Sequence, residues 1–225
     1  MVRRLQEIEN CGDKRKVKSK KIKSKNGGSA MQDNIFSNIP VQYKNIEAAT
    51  KELSFNMASD LQTGCLLKTL AASKQSGRIL ELGTGSGLAT SWILKGMDEN
   101  TKLITIENNP LLLDIAKQQL CDKRIDFVFV DGYDWLKKYI GEKFDLIFAD
   151  AMPGKYDLFD EAIALLKVGG FYIIDDMLPQ PNWPIGQAKL VENFIINLEQ
   201  RRDLTLTKMN WSTGLIIATK IEHKI

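Results

Sequence analysis

Arg78-Ile-Leu-Glu-Leu-Gly-Thr-Gly-Ser-Gly-Leu-Ala-Thr90 is the stretch from which the rest of the chain can be read. Ile79 to Leu82 form the short apolar run of a buried parallel strand, and three glycines follow at alternate positions, Gly83, Gly85 and Gly87. A helical pattern then resumes through Thr90, Trp92, Ile93 and Leu94. Strand, glycine turn and helix in this order set backbone N–H groups and the positive end of a helix beside a ligand. Glycines allow the sharp turn and let that ligand come close to the backbone.

The dinucleotide fingerprint requires a glycine or alanine three residues after its second glycine. That position is Leu88 when counted from Gly83 and Thr90 when counted from Gly85, so the fingerprint fails. Glu81-x-Gly83-x-Gly85-x-Gly87 instead resembles the first motif of class I methyltransferases that use S-adenosylmethionine. The resemblance implies that Glu81 faces the methionine part of the cofactor while the turn, Thr84 included, makes room for it. A glycine-rich turn in an unrelated α/β protein is the plainer alternative, and the downstream sequence has to decide between them.

Downstream, the chain alternates. Lys102–Glu107 reads as a second strand ending in a carboxylate, with Asn109 and Pro110 as N-cap and first helical residue. Glu107 lies 20 residues after Gly87, and an acid there can accept both ribose hydroxyls of an adenosine. Asn108 beside it falls in the same expected cofactor set. Ile125–Val130 is a third strand, followed by Asp131-Gly132 where this enzyme class commonly holds the adenine amino group; a surface turn is the alternative for Asp131. Phe144–Ala149 is a fourth strand delivering Asp150. A helix over Leu158–Leu166 leads through Val168-Gly-Gly to a fifth strand, Phe171–Ile174, which delivers Asp175 and Asp176. Leu204–Met209 and Gly214–Thr219 form a hairpin-like pair, the last strand entering antiparallel.

Six acids thus fall at the carboxyl ends of parallel strands, the edge where open α/β sheets bind ligands. The expected fold is α/β, a doubly wound, mostly parallel, seven-stranded sheet. Ahead of it, Ile46–Ala72 is helical in pattern, Met57, Leu61, Cys65 and Leu66 sharing a face. The expected organisation is a basic tail over 1–30, a helical cap over 31–75 that covers the site or makes a dimer contact, and a catalytic domain over 76–225.

Taken together, residues 45 to 220 resemble the cation-dependent O-methyltransferases of the catechol and caffeoyl-CoA type. Met57-Ala-Ser-Asp-Leu-Gln-Thr-Gly64 is similar to that family's entry segment, which implies a cofactor contact near Met57; core packing is the alternative. The family's metal ligands, an Asp after the fourth strand and an Asp-Asn pair after the fifth, correspond to Asp150, Asp175 and Asp176, implying bound Mg²⁺. A hard cation on oxygen ligands would bind both hydroxyls of a catechol and acidify the attacking one. Three crowded carboxylates would otherwise raise one another's pKa, which calls for a cation or a partner. The family's Lys three residues beyond the first Asp is replaced by Pro153, and Lys155 follows two residues later behind a Pro-Gly turn. Asp150 and Lys155 are the catalytic candidates, Lys155 as base or orienting group. The family's Ser on the cofactor carboxylate corresponds to Ala89, leaving Thr90 or backbone N–H groups to serve. Trp183, in the proline-rich loop Leu178–Pro184, is read as a wall for an aromatic acceptor.

Composition bounds the rest. Of the 225 residues, 44% are hydrophobic and 26% charged, as in a globular protein. Residues 1–30 carry ten Lys or Arg against three acids, whereas the remainder carries 21 against 25. The tail has no hydrophobic pattern and reads as disorder. With no apolar run long enough to span a membrane and three unspaced cysteines, a cytoplasmic protein with reduced thiols is expected. The only histidine, His223, is terminal, which points away from a histidine base. The expected function is methyl transfer from S-adenosylmethionine to a hydroxyl of a small aromatic acceptor, in a possible homodimer. The alternative is a metal-independent enzyme acting on RNA or protein, with the basic tail as a docking arm.

Overall fold

The computed structural model describes residues 36–222. The basic segment 1–30, Cys11 and His223 lie outside the described residues. Two helices, α1 (Tyr43–Glu52) and α2 (Leu61–Ala72), precede β1 (Arg78–Leu82). Then come α3 (Leu88–Gly96), β2 (Lys102–Glu107), α4 (Pro110–Gln119), β3 (Ile125–Phe129), α5 (Gly132–Lys138) and β4 (Phe144–Ala149). The chain closes with α6 (Phe159–Ala164), β5 (Leu166–Ile174), α7 (Gln187–Glu199), β6 (Leu204–Met209) and β7 (Leu215–Lys220).

The seven strands lie in the order β3-β2-β1-β4-β5-β7-β6, with β7 antiparallel to both β5 and β6. All other pairings are parallel. The expected sheet, with its antiparallel end, is therefore the observed one. Its order reverses between β1 and β4, and the crevice at such a reversal is where open α/β sheets bind ligands.

Period-two side-chain alternation sorts the core into two layers. Ile79, Leu103, Leu146, Phe148 and Ile173 face α1 to α3 through Ile46, Leu67, Trp92 and Ile93. Leu80, Leu82, Ile147, Ala149 and Ile174 face the other side, against Leu136 of α5, Ile163 of α6 and Phe194 of α7. At about 25 cal/mol per Å² of apolar area, burial on both faces is the main stabilising term of such a sheet.

Three local readings differ from expectation. The helical pattern over Ile46–Ala72 is interrupted, α1 ending at Glu52 and α2 beginning at Leu61. Ser54 takes a left-handed φ of 54°, and Asp60 caps α2 by accepting from the Thr63 N–H at 2.8 Å. The capping carboxylate competes successfully with helix propensity. The helix expected over Leu158–Leu166 ends at Ala164, and β5 begins at Leu166 rather than Phe171. Phe144 pairs with Leu166 and Leu146 with Phe171, so Lys167 to Gly170 bulge out of the ladder. Gly169, at φ 78°, turns that bulge. Neither Cys65 nor Cys121 is in a disulfide, and no helix among the described residues is long and apolar enough to cross a membrane.

Candidate functional site

The crevice is built from the carboxyl ends of β1 and β4. Gly83, Gly85 and Gly87 all have positive φ, at 97°, 53° and 95°. A Cβ on Gly83 would stand 2.6 Å from the Asp150 carbonyl oxygen, so only glycine lets the two strand ends close up. The Asp150 N–H in turn donates to the Leu82 carbonyl at 2.9 Å. Gly87 hands the chain into α3 and points the helix N-terminus at the crevice.

Glu107 is bound to this turn directly. Its Oε2 accepts from the Gly85 N–H at 2.8 Å, while Oε1 accepts from the N–H groups of Asn108 and Asn109 at 3.0 and 2.9 Å. The carboxylate is thereby oriented beside the glycines with lone pairs to spare for a diol. Asp131 caps α5 through the Tyr133 N–H at 2.8 Å, and Asn108 Nδ2 reaches its other oxygen at 3.4 Å. Asp131, Asn108 and Gly132 therefore continue the same edge from β2 to β3. A Cβ on Gly132 would meet Pro153 at 2.7 Å, which brings the Asp150–Lys155 loop alongside.

Glu81, expected to face the cofactor, is held by the chain through one oxygen, and its Oε1 is buried without a partner. It is wholly buried, and its Oε2 accepts from the hydroxyls of Thr90 on α3 and Thr105 on β2, each at 2.6 Å. Since Thr105 donates to Glu81, its contact with Thr84 at 2.6 Å has Thr84 as donor. One carboxylate thus ties the glycine turn, β2 and α3 together. Burial pushes its pKa up to about 7, against the pull of the two threonine hydroxyls. Thr90, spent on Glu81, is not free to bind a cofactor carboxylate.

A second cluster sits past β4 and β5. The β4 loop folds back on itself: N–H groups of Lys155, Tyr156 and Asp157 all approach the Met152 carbonyl. Gly154 takes φ 84°, and its carbonyl accepts from the buried Tyr172 hydroxyl. This turn swings Lys155 inward until it is only 5% exposed, with Nζ 3.6 Å from Asp150 Oδ1. Asp150 Oδ2 accepts from the Ser59 hydroxyl at 3.1 Å. Asp175, 1% exposed, accepts at Oδ1 from the Asp176 N–H and the Thr213 hydroxyl, while its Oδ2 is buried without a partner. Asp176 has a left-handed φ of 59°, a conformation that costs an ordinary residue about 1–2 kcal/mol.

Burial pushes the carboxyl groups of Asp150, Asp175 and Asp176 up from their usual range, Asp175 to about 6. Burial alone would lower Lys155, but Asp150, Asp176 and Asp175 together hold it above its ordinary value, so the ammonium stays charged. Lys155 thus sets one positive charge beside these acids. The expected metal triad does not form: among the described residues no three acidic, histidine or cysteine side chains are gathered so as to hold an ion. Lys155 faces Asp150, and one oxygen of Asp175 is taken by Thr213.

The cover of the crevice is the loop between α1 and α2. Phe55 lies over Gly85, about where a Cβ would touch it at 3.5 Å, and Ser59 holds Asp150. Met57 in the same loop is 63% exposed, which excludes the core-packing alternative and leaves it at the surface of the cover. Asn182 bonds the Asn56 carbonyl at 3.2 Å, joining the proline-rich loop to this cover. Trp183 packs against the α7-side core, which favours a connector over a substrate wall. Ser59, Thr213 and Tyr172 escape sequence reading because each meets its partner across 18 to 91 residues, with no local motif to mark it.

An open sheet with a glycine turn and carboxylates at its reversal point defines an α/β protein with a ligand-binding crevice there. The O-methyltransferase family model matches residues 37–210. The chain therefore belongs to the O-methyltransferase family, as the sequence resemblance implied. A curated relative from Mycobacterium sp. (strain KMS), provisionally named an O-methyltransferase, is 33% identical over 138 residues, covering 57% of this chain. The match spans 63% of that relative's length. TomG, an O-methyltransferase from Streptomyces achromogenes solved with S-adenosylmethionine, superposes with a TM-score of 0.71 at 24% identity, over 81% of this chain and 90% of TomG. An O-methyltransferase from Bacillus cereus solved with S-adenosylhomocysteine gives 0.70 at 20% identity, over 80% and 90%. At these identities the two structures speak for the fold.

Proposed function

We propose that this protein is an S-adenosylmethionine-dependent O-methyltransferase acting on a hydroxyl of a small, aromatic acceptor. The observation that carries the reading is the Glu107 carboxylate, fixed by the Gly85 N–H beside a glycine turn, in a chain whose family is that of O-methyltransferases. The adenosine ribose would bind Glu107, the adenine edge would meet Asp131 and Asn108, and the methionine part would lie over Gly83 to Gly87. Backbone N–H groups at the start of α3 receive the methionine carboxylate, because Thr90 is committed to Glu81.

The sulfonium methyl then points past the strand ends toward Asp150 and Lys155. Holding the donor and the acceptor oxygen in line converts a bimolecular displacement into an oriented one, worth up to about 7–11 kcal/mol of the barrier. The Phe55–Ser59 cover excludes water from the reacting atoms.

The test is methyl transfer from labelled S-adenosylmethionine to a panel of phenols, catechols, hydroxycinnamates and RNA. Methylation of a phenolic hydroxyl that is lost in Gly85→Arg is the expected result. Transfer to RNA alone, or none to any hydroxyl, contradicts the reading.

A further inference from the structure

We infer that Lys155 is a tethered cation standing where the family's divalent metal would act, so that transfer is metal-independent and the acceptor needs one hydroxyl rather than a vicinal pair. The inference rests on the O-methyltransferase reading for its reaction, and on side-chain geometry for its content.

The ammonium is placed by construction. Pro153 and Gly154 make the turn, the Met152 carbonyl accepts from the N–H groups that follow, and Tyr172 pins the Gly154 carbonyl from the core. A Cβ on Gly154 would stand 2.3 Å from Leu82 Cδ1, so the loop is seated hard against β1. Lys155 is delivered into the cluster of Asp150, Asp175 and Asp176 with its side chain 6% exposed. An ammonium has three N–H donors. The Lys155 ammonium makes no hydrogen bond among the described residues, and its 3.6 Å approach to Asp150 is an ion pair without one. Ammonium donors that the chain does not engage stay available to a ligand oxygen. Asp175 Oδ2, buried without a partner, offers an acceptor beside them.

A divalent cation binds a catechol through both oxygens. An ammonium at the same place needs only the reacting oxygen, because its donors act one by one and require no chelating pair. The acceptor thus binds as its oxyanion, its proton released to water, with Lys155 donating to that oxygen. The oxygen's electron pair forms the new O–CH₃ bond as the C–S bond breaks, and the C–S pair returns to sulfur. The charges of oxyanion and sulfonium cancel, leaving a methyl ether and S-adenosylhomocysteine. Removing one preorganised donor to a reacting oxygen typically costs a factor of about 10²–10³ in kcat.

Two measurements on the full chain test this. In the first, turnover of a phenol and of the matching catechol is compared with and without EDTA. The expectation is that chelation changes either rate by less than about twofold and that the two acceptors agree within about tenfold. Lys155→Met should lose about 100-fold in kcat at unchanged S-adenosylhomocysteine affinity, and Lys155→Arg should recover part of it. A rate abolished by EDTA and restored by Mg²⁺, or turnover confined to vicinal diols, overturns the inference. In the second, Mn²⁺ binding is followed by electron paramagnetic resonance. Wild type should bind no stoichiometric Mn²⁺, whereas Lys155→Met, with its carboxylates unopposed, should bind one ion. Stoichiometric Mn²⁺ on wild type overturns the inference even if no acceptor is turned over. Failure of S-adenosylhomocysteine binding would refute the O-methyltransferase reading instead.

Discussion

Replacing Glu81 by glutamine should flatten a specific part of the stability–pH profile. In the folded chain burial holds the Glu81 carboxyl at about 7, against 4.5 for an ordinary glutamate. Between those values the folded state keeps a proton that the unfolded chain releases, so stability falls as pH rises. The penalty is absent below about pH 4.5 and fully present above about pH 7. A tenfold difference in proton affinity between the folded and unfolded chain corresponds to about 1.4 kcal/mol, so this residue alone should remove about 2–3 kcal/mol between about pH 5 and pH 8. Glu81→Gln has no charge to bury and retains a carbonyl oxygen for the Thr90 and Thr105 hydroxyls, which makes it a mimic of the protonated side chain. Urea unfolding of both proteins at the two pH values isolates the effect, because other groups cancel in the difference. Glu81→Gln should gain about 2–3 kcal/mol on wild type in going from about pH 5 to pH 8. A difference that stays constant would mean that Glu81 is ionised in the folded core and that the hydroxyl brace alone sustains its charge.

The cap of α2 offers a second test. Asp60→Ala removes the acceptor of the Thr63 N–H and of the Ser212 hydroxyl and should lower the unfolding free energy by about 1–2 kcal/mol, measured by urea midpoint at unchanged m-value. Tyr172→Phe leaves the buried Gly154 carbonyl without its donor and should cost about 1–3 kcal/mol of stability. Because that carbonyl anchors the turn carrying Lys155, kcat should fall while the KM for the methyl donor changes little; a loss of stability with kcat intact would uncouple the turn from catalysis.

The glycine turn and its bond to Glu107 can largely be read from the sequence because their elements are local. Gly83 to Gly87 and Glu107 sit at ends of strands whose apolar runs are unbroken, and β2 and β4 occupy the expected residues. The pattern fails where a single residue overrides periodicity. The helical run over Ile46–Ala72 breaks after Glu52 and restarts where Asp60 caps α2, and the bulge at Lys167–Gly170 lets β5 continue through what reads as a turn. In the acceptor half, residue type is visible and direction is not. Asp150, Asp175 and Asp176 have a metal site's composition, yet the left-handed backbone at Asp176, the Thr213 hydroxyl on Asp175 and the inward turn of Lys155 set their geometry. The Thr213 contact spans 38 residues, and neither a left-handed φ nor an inward turn is written in residue type, so a ligand list drawn from one strand end at a time cannot contain them. Glu81 shows the same limit, since its bonds to Thr90 on α3 and Thr105 on β2, which brace the turn, leave no mark at its own strand end.

The central claim is that the glycine turn and Glu107 together hold an adenosine. Titration calorimetry with S-adenosylhomocysteine tests it most directly. Wild type should bind one equivalent, Gly85→Arg should bind none, and Glu107→Ala should lose about 10-fold or more, a charge-assisted hydrogen bond pair being worth at least about 1.5 kcal/mol. Absence of binding to wild type, or equal binding by Gly85→Arg, would contradict the account.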